Sequence, residues 1–175
     1  MNKEEICKMA DDLATKHNPE GLSPFPFERI QKDNEKDLFI FFNDQLENSI
    51  SGATIFDAES NKFYILVNKN KPKTRQHFTT AHELGHYFLH KELIKKEGLI
   101  DGDNSLDGGN ILYRADNYIS TEIETEANNF AASLIMPHKL VVRAWEELKD
   151  VEKCASIFNV SVSAMAIRLE RLGLI

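Results

Sequence analysis

Hydrophobic spacing divides the N-terminal part of the chain into two helices and three strands. Apolar side chains recur at helical spacing over residues 3–17, and the turn-forming sequence that follows ends this helix. A shorter helix is predicted around residues 27–33. Three segments rich in Phe, Ile and Val, separated by polar and glycine clusters, predict an antiparallel meander. These strands are predicted at residues 37–43, 50–57 and 62–68.

The remainder of the chain is predicted to be mostly helical. A long amphipathic helix covers residues 74–91, and a second strong helix covers residues 121–136 and stops before a proline. The Gly, Asp and Asn-rich stretch between them, residues 97–117, predicts a loop with one short strand at 111–113. Three further helices are predicted at residues 139–150, 151–158 and 161–172.

This pattern indicates an α+β fold in which a small, mainly antiparallel sheet packs on two long helices. We assign the α+β core to residues 1–138 and a C-terminal helical subdomain to residues 139–175. The last two helices, joined by a tight turn, have the length of a helix-turn-helix.

Composition narrows the classes of protein that fit this fold. The 175 residues are 42% hydrophobic and 28% charged, as in one ordinary globular domain. The 21 basic against 28 acidic side chains leave a net charge of −7, which disfavours stable binding to nucleic acid or to an anionic membrane. The acidic N-terminal segment and the absence of a long apolar run predict a cytoplasmic protein. Cys7 and Cys154 are too isolated to indicate a disulfide framework.

The candidate chemistry lies in a histidine cluster on the first long helix. His82 and His86 enclose Glu83 in the pattern HExxH. Residues four apart on a helix are about 6 Å apart along its axis, so two imidazoles can converge on one ion. Zinc is the expected ion, and Glu83 can take a proton from a water molecule without binding the metal. The alternative is a helix whose histidines simply face solvent.

The two other histidines of the cluster do not have ligand geometry. His90 lies about 12 Å along the helix axis from His82, which is too far for a shared ion. His77 is displaced by about 140° around the helix from His82. We assign His90 to packing or a hydrogen bond and set His77 aside.

A third ligand is predicted on the second long helix. Glu124 and Asn128 align with its apolar stripe, whereas Glu126 falls on the predicted solvent face. A buried carboxylate and a buried amide need polar partners, which a metal and the second ring N–H of a ligand histidine would supply. The alternative for Glu124 is a capping box with Thr121, although Ser120 is an equally good cap.

Two segments that contain these residues resemble the ImmA/IrrE family of metallopeptidases. The segment RQHFTTAHELGHYFLH, residues 75–90, is similar to the family pattern RQRFTxAHELGHxxLH. The segment ETEANNFAASLIMP, residues 124–137, is similar to the pattern ExxANxFAAxLLMP. The resemblance implies a zincin-like metallopeptidase core with a general base at Glu83. It implies zinc ligands at His82, His86 and Glu124.

The resemblance also implies a substrate class. Members of the family act on helix-turn-helix repressors of mobile elements or stress regulons and relieve repression by proteolysis. We therefore predict a zinc-dependent endopeptidase that cleaves such a repressor and binds neither nucleic acid stably nor membranes.

The competing hypothesis is a DNA-binding or protein-binding regulator with a structural or vestigial metal site. The C-terminal helix pair would carry that function. Residues 151–175 hold three basic and two acidic side chains, which is little charge for neutralising phosphates. Their apolar stripe instead favours packing or partner docking. A metal-binding module without turnover is disfavoured because such a site does not need Glu83.

Overall fold

The computed structural model describes residues 1–97, 99–101 and 117–175. Within these ranges, no helix is long and apolar enough to cross a membrane. The predicted strand at 111–113 and most of the predicted loop lie outside the described residues. The helices are α1 (Lys3–His17), α2 (Phe27–Asp33), α3 (Lys73–Leu89), α4 (Lys91–Glu97), α5 (Asn117–Ile135), α6 (His138–Leu148), α7 (Val151–Phe158) and α8 (Val162–Arg171). The strands are β1 (Leu38–Asn43), β2 (Gly52–Asp57), β3 (Lys62–Asn68) and β4 (Leu99–Asp101).

The described strands form a mixed sheet in the order β1-β3-β2-β4. β2 is antiparallel to β3 and to β4, as predicted for a mainly antiparallel sheet, but β1 runs parallel to β3. The predicted meander is therefore wrong for β1. A tight turn, with Asn61 at a φ of 55°, makes β2 and β3 a hairpin, and the longer connection before β2 lets β1 lie on the far side of β3. The α+β fold class is confirmed.

Two helices on one face of this sheet enclose the core. α3 packs against β2, β3 and α5, and α1 also packs against α5. Fully buried side chains of β3, such as Phe63 and Ile65, belong to the same core cluster as Leu84 of α3 and Phe130 of α5. The sheet and α5 therefore cover α3 from two sides, which buries the helix that carries HExxH.

Close packing between β2 and α3 depends on Gly52. A Cβ atom on Gly52 would lie 2.5 Å from Cγ2 of Thr79 and 3.3 Å from Cγ of Glu83. No side chain fits in that space, so the strand backbone lies directly against the helix. The next inward residue of β2, Thr54, consequently faces Glu83.

α5 differs from its prediction at its start and on its outer face. It begins at Asn117, so Thr121 lies inside the helix and the alternative interpretation of Glu124, a capping box with Thr121, is wrong. Asn129 and Ser133 share the helical face of Glu126, which was predicted to face solvent, yet they are 7% and 0% exposed. The reason is that α5 is covered on more than one side, whereas an amphipathic pattern assumes a single buried face.

The C-terminal helices follow the prediction closely. The Asp150 side chain accepts from Lys153 N at 3.0 Å and caps α7, and Ser161 accepts from Ala164 N at 3.1 Å and caps α8. Asn159 makes the turn between them in a left-handed conformation, at a φ of 51°. Buried side chains on both sides of residue 138 share one core cluster, and the division into two subdomains stays a prediction.

His77 connects three parts of the fold. Its Nε2 atom accepts a hydrogen bond from Phe25 N at 2.9 Å, so the ring proton lies on Nδ1 and is donated to Asn159 O at 3.0 Å. The ring therefore links α3 to the segment before α2 and to the turn between α7 and α8. Burial lowers the pKa of His77, because the charged ring is poorly solvated there.

We predict that His77→Gln reduces the acid sensitivity of the fold. A glutamine amide can accept from Phe25 N–H and donate to Asn159 O without titrating. Because the folded-state pKa of His77 lies below the ordinary value of 6.5, the wild type loses stability as the pH falls below that value.

The check is urea denaturation of both proteins between about pH 7.5 and about pH 5. Comparing the two proteins at each pH cancels the titration of other groups. The free energy of unfolding should fall further for the wild type than for His77→Gln. Parallel curves would contradict the role assigned to His77.

Candidate metal centre

The structure brings the three predicted metal ligands together. His82 and His86 extend from α3 and Glu124 from α5, and their ligand atoms all lie within 4.8 Å of one another. The two Nε2 atoms are 3.0 Å apart. Nε2 of His82 is 3.2 Å from Oε2 of Glu124, and Nε2 of His86 is 3.3 Å from its Oε1. Two nitrogens and a carboxylate thus face one point.

Asn128 orients the ring of His82. Its Oδ1 atom lies 3.0 Å from Nδ1 of His82. An amide oxygen only accepts, so Nδ1 carries the ring proton and Nε2 presents its lone pair to the cluster. The helical alignment of Asn128 with Glu124 predicted this contact.

His90 and Glu126 orient the ring of His86. Nε2 of His90 is 2.9 Å from Oε2 of Glu126, and Nδ1 of His90 is 3.1 Å from Nδ1 of His86. Because the carboxylate accepts from Nε2–H of His90, the Nδ1 atom of His90 accepts from Nδ1–H of His86. The lone pair on Nε2 of His86 therefore faces the cluster. His90 makes the hydrogen bond predicted for it, whereas the half-buried Glu126 was wrongly placed on the solvent face.

The local electrostatics set the protonation states in which Glu124 and His86 can bind a cation. Burial opposes the charge on Glu124, but the imidazoles of His82 and His86 outweigh it and lower the pKa of Glu124 to about 2. Burial lowers the pKa of His86 to about 4. At neutral pH the glutamate is therefore ionised and this ring is neutral, the states in which each binds a metal.

The residues of the cluster fit a zinc ion. Oε2 of Glu124 is buried and accepts no hydrogen bond from any residue that the structure describes. The pKa of His82 is raised: burial alone would lower it, but the interactions with Glu124 and Glu83 outweigh burial. The site therefore favours positive charge. Two imidazoles and one carboxylate are a donor set of catalytic zinc sites. A cation here would compensate the buried carboxylate.

Glu83 lies beside the ligand cluster and is completely buried. Its Oε2 atom accepts a hydrogen bond of 2.7 Å from Oγ1 of Thr54, which is also fully buried, on β2. The strand thus holds the carboxylate in one orientation. Sequence reasoning missed Thr54, and a threonine between apolar residues of β2 was the only signal.

The ligand helices approach each other at Gly85. A Cβ atom there would lie 3.1 Å from Cα and 3.2 Å from O of Ala127. The α3 and α5 backbones therefore meet without an intervening side chain, which brings Glu124 within reach of the two histidines.

A cavity of about 450 Å³ adjoins the cluster. It lies between α3, α5 and α8, and His82 is among the residues that line it. An occupant of this cavity would contact His82, one of the three candidate ligands.

An α+β fold with HExxH on one helix and a third ligand on a second helix defines the metallopeptidase class. The chain belongs to the peptidase family described as the IrrE N-terminal-like domain, whose family model matches residues 34–170. It is 28% identical to metallopeptidase ImmA of Bacillus subtilis (strain 168) over 138 residues, 78% of this chain and 71% of ImmA.

A solved structure supports the fold. A transcriptional regulator of Mycobacterium tuberculosis matches 95% of this chain with a TM-score of 0.65 and 16% identity. The match covers 47% of the regulator, so this chain spans about half its length. At this identity the likeness concerns the fold alone.

We predict that Gly85→Ala destabilises the protein by about 1–2 kcal/mol, measured by urea denaturation in the presence of a chelator. Helix propensity alone would stabilise α3 by about 1 kcal/mol. The added methyl group meets the α5 backbone, which cannot yield as a flexible side chain would. A net gain in stability would contradict the close helix contact.

We predict that Glu124→Ala lowers zinc affinity more than hundredfold, whereas Glu126→Ala lowers it about tenfold. The two variants are matched, since each removes a glutamate from α5, but only Glu124 faces the ligand cluster. Competition with a chromophoric chelator measures both affinities. Equal losses would overturn the choice of third ligand.

Proposed function

We propose that this protein is a zinc-dependent endopeptidase. The convergence of His82, His86 and Glu124 beside Glu83 is the observation that carries the proposal. Membership of a peptidase family and similarity to a metallopeptidase support it.

Each residue of the site has a defined task in this proposal. His82, His86 and Glu124 would hold zinc, which would supply a Lewis acid for polarising the peptide carbonyl. Glu83 accepts a proton from the attacking water and donates it to the leaving amine. Thr54 restrains the carboxylate of Glu83 through Oε2, so the base keeps its orientation during both transfers. Burial of the base excludes competing water.

The proposed substrate is a helix-turn-helix transcriptional repressor of a mobile element or stress regulon, cleaved in the cytoplasm to relieve repression. The resemblance of residues 75–90 and 124–137 to the ImmA/IrrE family supports this choice. Incubation of the zinc-loaded protein with the repressor encoded beside its gene, followed by mass spectrometry of the products, tests it.

The contacts of α8 disfavour the DNA-binding alternative. Arg168 donates from Nε to Met136 O at 3.1 Å, and Arg171 donates from Nη1 to Oδ1 of Asn129 at 2.9 Å. Arg168 is buried, and the exposed Arg171 is held by Asn129, so neither arginine extends freely from α8 as contacts to a phosphate backbone would require. We infer that α8 has a packing role and that the protein binds no nucleic acid stably.

We predict that Glu83→Gln retains zinc and fold but loses at least about a hundredfold in cleavage rate. The amide still accepts from Thr54 but cannot take a proton from water. Repressor cleavage is followed by electrophoresis, zinc content by atomic emission and fold by circular dichroism.

Cleavage by Glu83→Gln at the wild-type rate would exclude the general-base role. A promoter-DNA shift with steep salt dependence, retained in Glu83→Gln, would instead support the DNA-binding alternative.

A further inference from the structure

The cavity beside His82 has a distinct charge composition. We call it the arginine groove, because Arg75, Arg168 and Arg171 line it. None of its described lining residues is acidic, although the whole chain has a net charge of −7. Arg168 and Arg171, which form no ion pair with the described residues, give the α8 side of the groove a positive charge that favours an anionic occupant.

Arg168 is the most buried of the three arginines. Its side chain is 6% exposed, and its only hydrogen bond within the described part of the chain runs from Nε to Met136 O. No ion pair to Arg168 occurs there either, although the Asp11 carboxylate of α1 interacts with it electrostatically without direct contact. A buried guanidinium has five N–H donors, and a carboxylate within hydrogen-bond distance stabilises it more than a distant one does. A carboxylate entering the groove would supply that partner.

The groove also has apolar lining residues. Phe78 of α3, Met136 and Ile167 of α8 line it. Ile167 is 50% exposed, so α8 presents an uncovered apolar side chain to the same space as the arginines. An occupant that satisfies both features carries an apolar side chain close to a carboxylate.

The position of the groove identifies the occupant as the substrate polypeptide. His82 lines the same cavity, so a chain lying in the groove passes directly beside the metal centre. α8 therefore forms one wall of the path along which the substrate reaches the site. This placement gives the C-terminal helix a role in recognition as well as in packing.

We propose that the arginine groove is a specificity subsite that takes an acidic side chain adjacent to an apolar one in the substrate. The acidic group pairs with Arg168, and the apolar group contacts Ile167 and Phe78. The proposal rests on the proposed peptidase function for the identity of the occupant.

Two exposed isoleucines of the C-terminal helices provide a matched test. Ile167 lines the groove, whereas Ile157 of α7 is equally exposed, at 49%, and does not line it. Ile167→Glu places a carboxylate among the arginines and repels an acidic ligand. Ile157→Glu adds the same charge outside the groove. Ser163→Glu, at an exposed lining position on α8, is a second groove variant in case the first fails to fold.

The probe is a degenerate mixture of short peptides, captured on the immobilised zinc-loaded protein and identified by mass spectrometry. Every protein also carries Glu83→Gln, so that bound peptides are not cleaved. Peptides with Asp or Glu beside an apolar residue should be enriched roughly tenfold over their Asn or Gln counterparts. The enrichment should disappear in Ile167→Glu and Ser163→Glu and persist in Ile157→Glu.

Equal capture of acidic and amide peptides, or an enrichment unchanged by both groove variants, would overturn the subsite. Incubating the captured peptides with the protein that retains Glu83 separates the two proposals. Peptides that bind with the acidic preference but are not cleaved would contradict the peptidase function alone. Cleavage without that preference would contradict the subsite alone.

Discussion

The metal centre depends on the contact between the α3 and α5 backbones at Gly85 and Ala127. Two imidazoles on one helix provide two ligands, and the third must reach them from another helix. A carboxylate side chain spans only a few ångströms, so the helices must approach more closely than larger residues would permit. The sheet and α1 hold the pair from outside and maintain this approach.

Burial and hydrogen bonding together fix the orientation and the protonation state of the ligands. The Nδ1–H group of His82 donates to the Asn128 amide, and that of His86 donates to His90, which is held by Glu126. Both Nε2 lone pairs are therefore directed at the cluster. The low pKa of Glu124, about 2, keeps its carboxylate charged. These outer contacts come from the same two helices as the ligands, so formation of the core also orients the site.

Much of the helical structure and the site was predictable, because the determining interactions are local. Helical spacing predicted α1 and α7 at their observed bounds, and the i, i+4 relation predicted the pairing of His82 with His86. Alignment with an apolar stripe predicted Glu124. The neighbour of β1 was not predictable in this way, since alternation determines the face of a side chain but not the partner or direction of its strand.

The sequence alone determined which residues are able to bind a metal and which helical faces carry them, because these properties follow from side-chain chemistry and from a period of 3.6 residues. Tertiary structure decided how many faces each helix buries. α5 is covered on several sides, so Glu126 and Asn129 became partners of His90 and Arg171 instead of solvated groups. Tertiary structure also placed Thr54 against Glu83 and the arginines of α8 beside His82. Such contacts join residues far apart in the chain, and only packing of the whole core defines their distances.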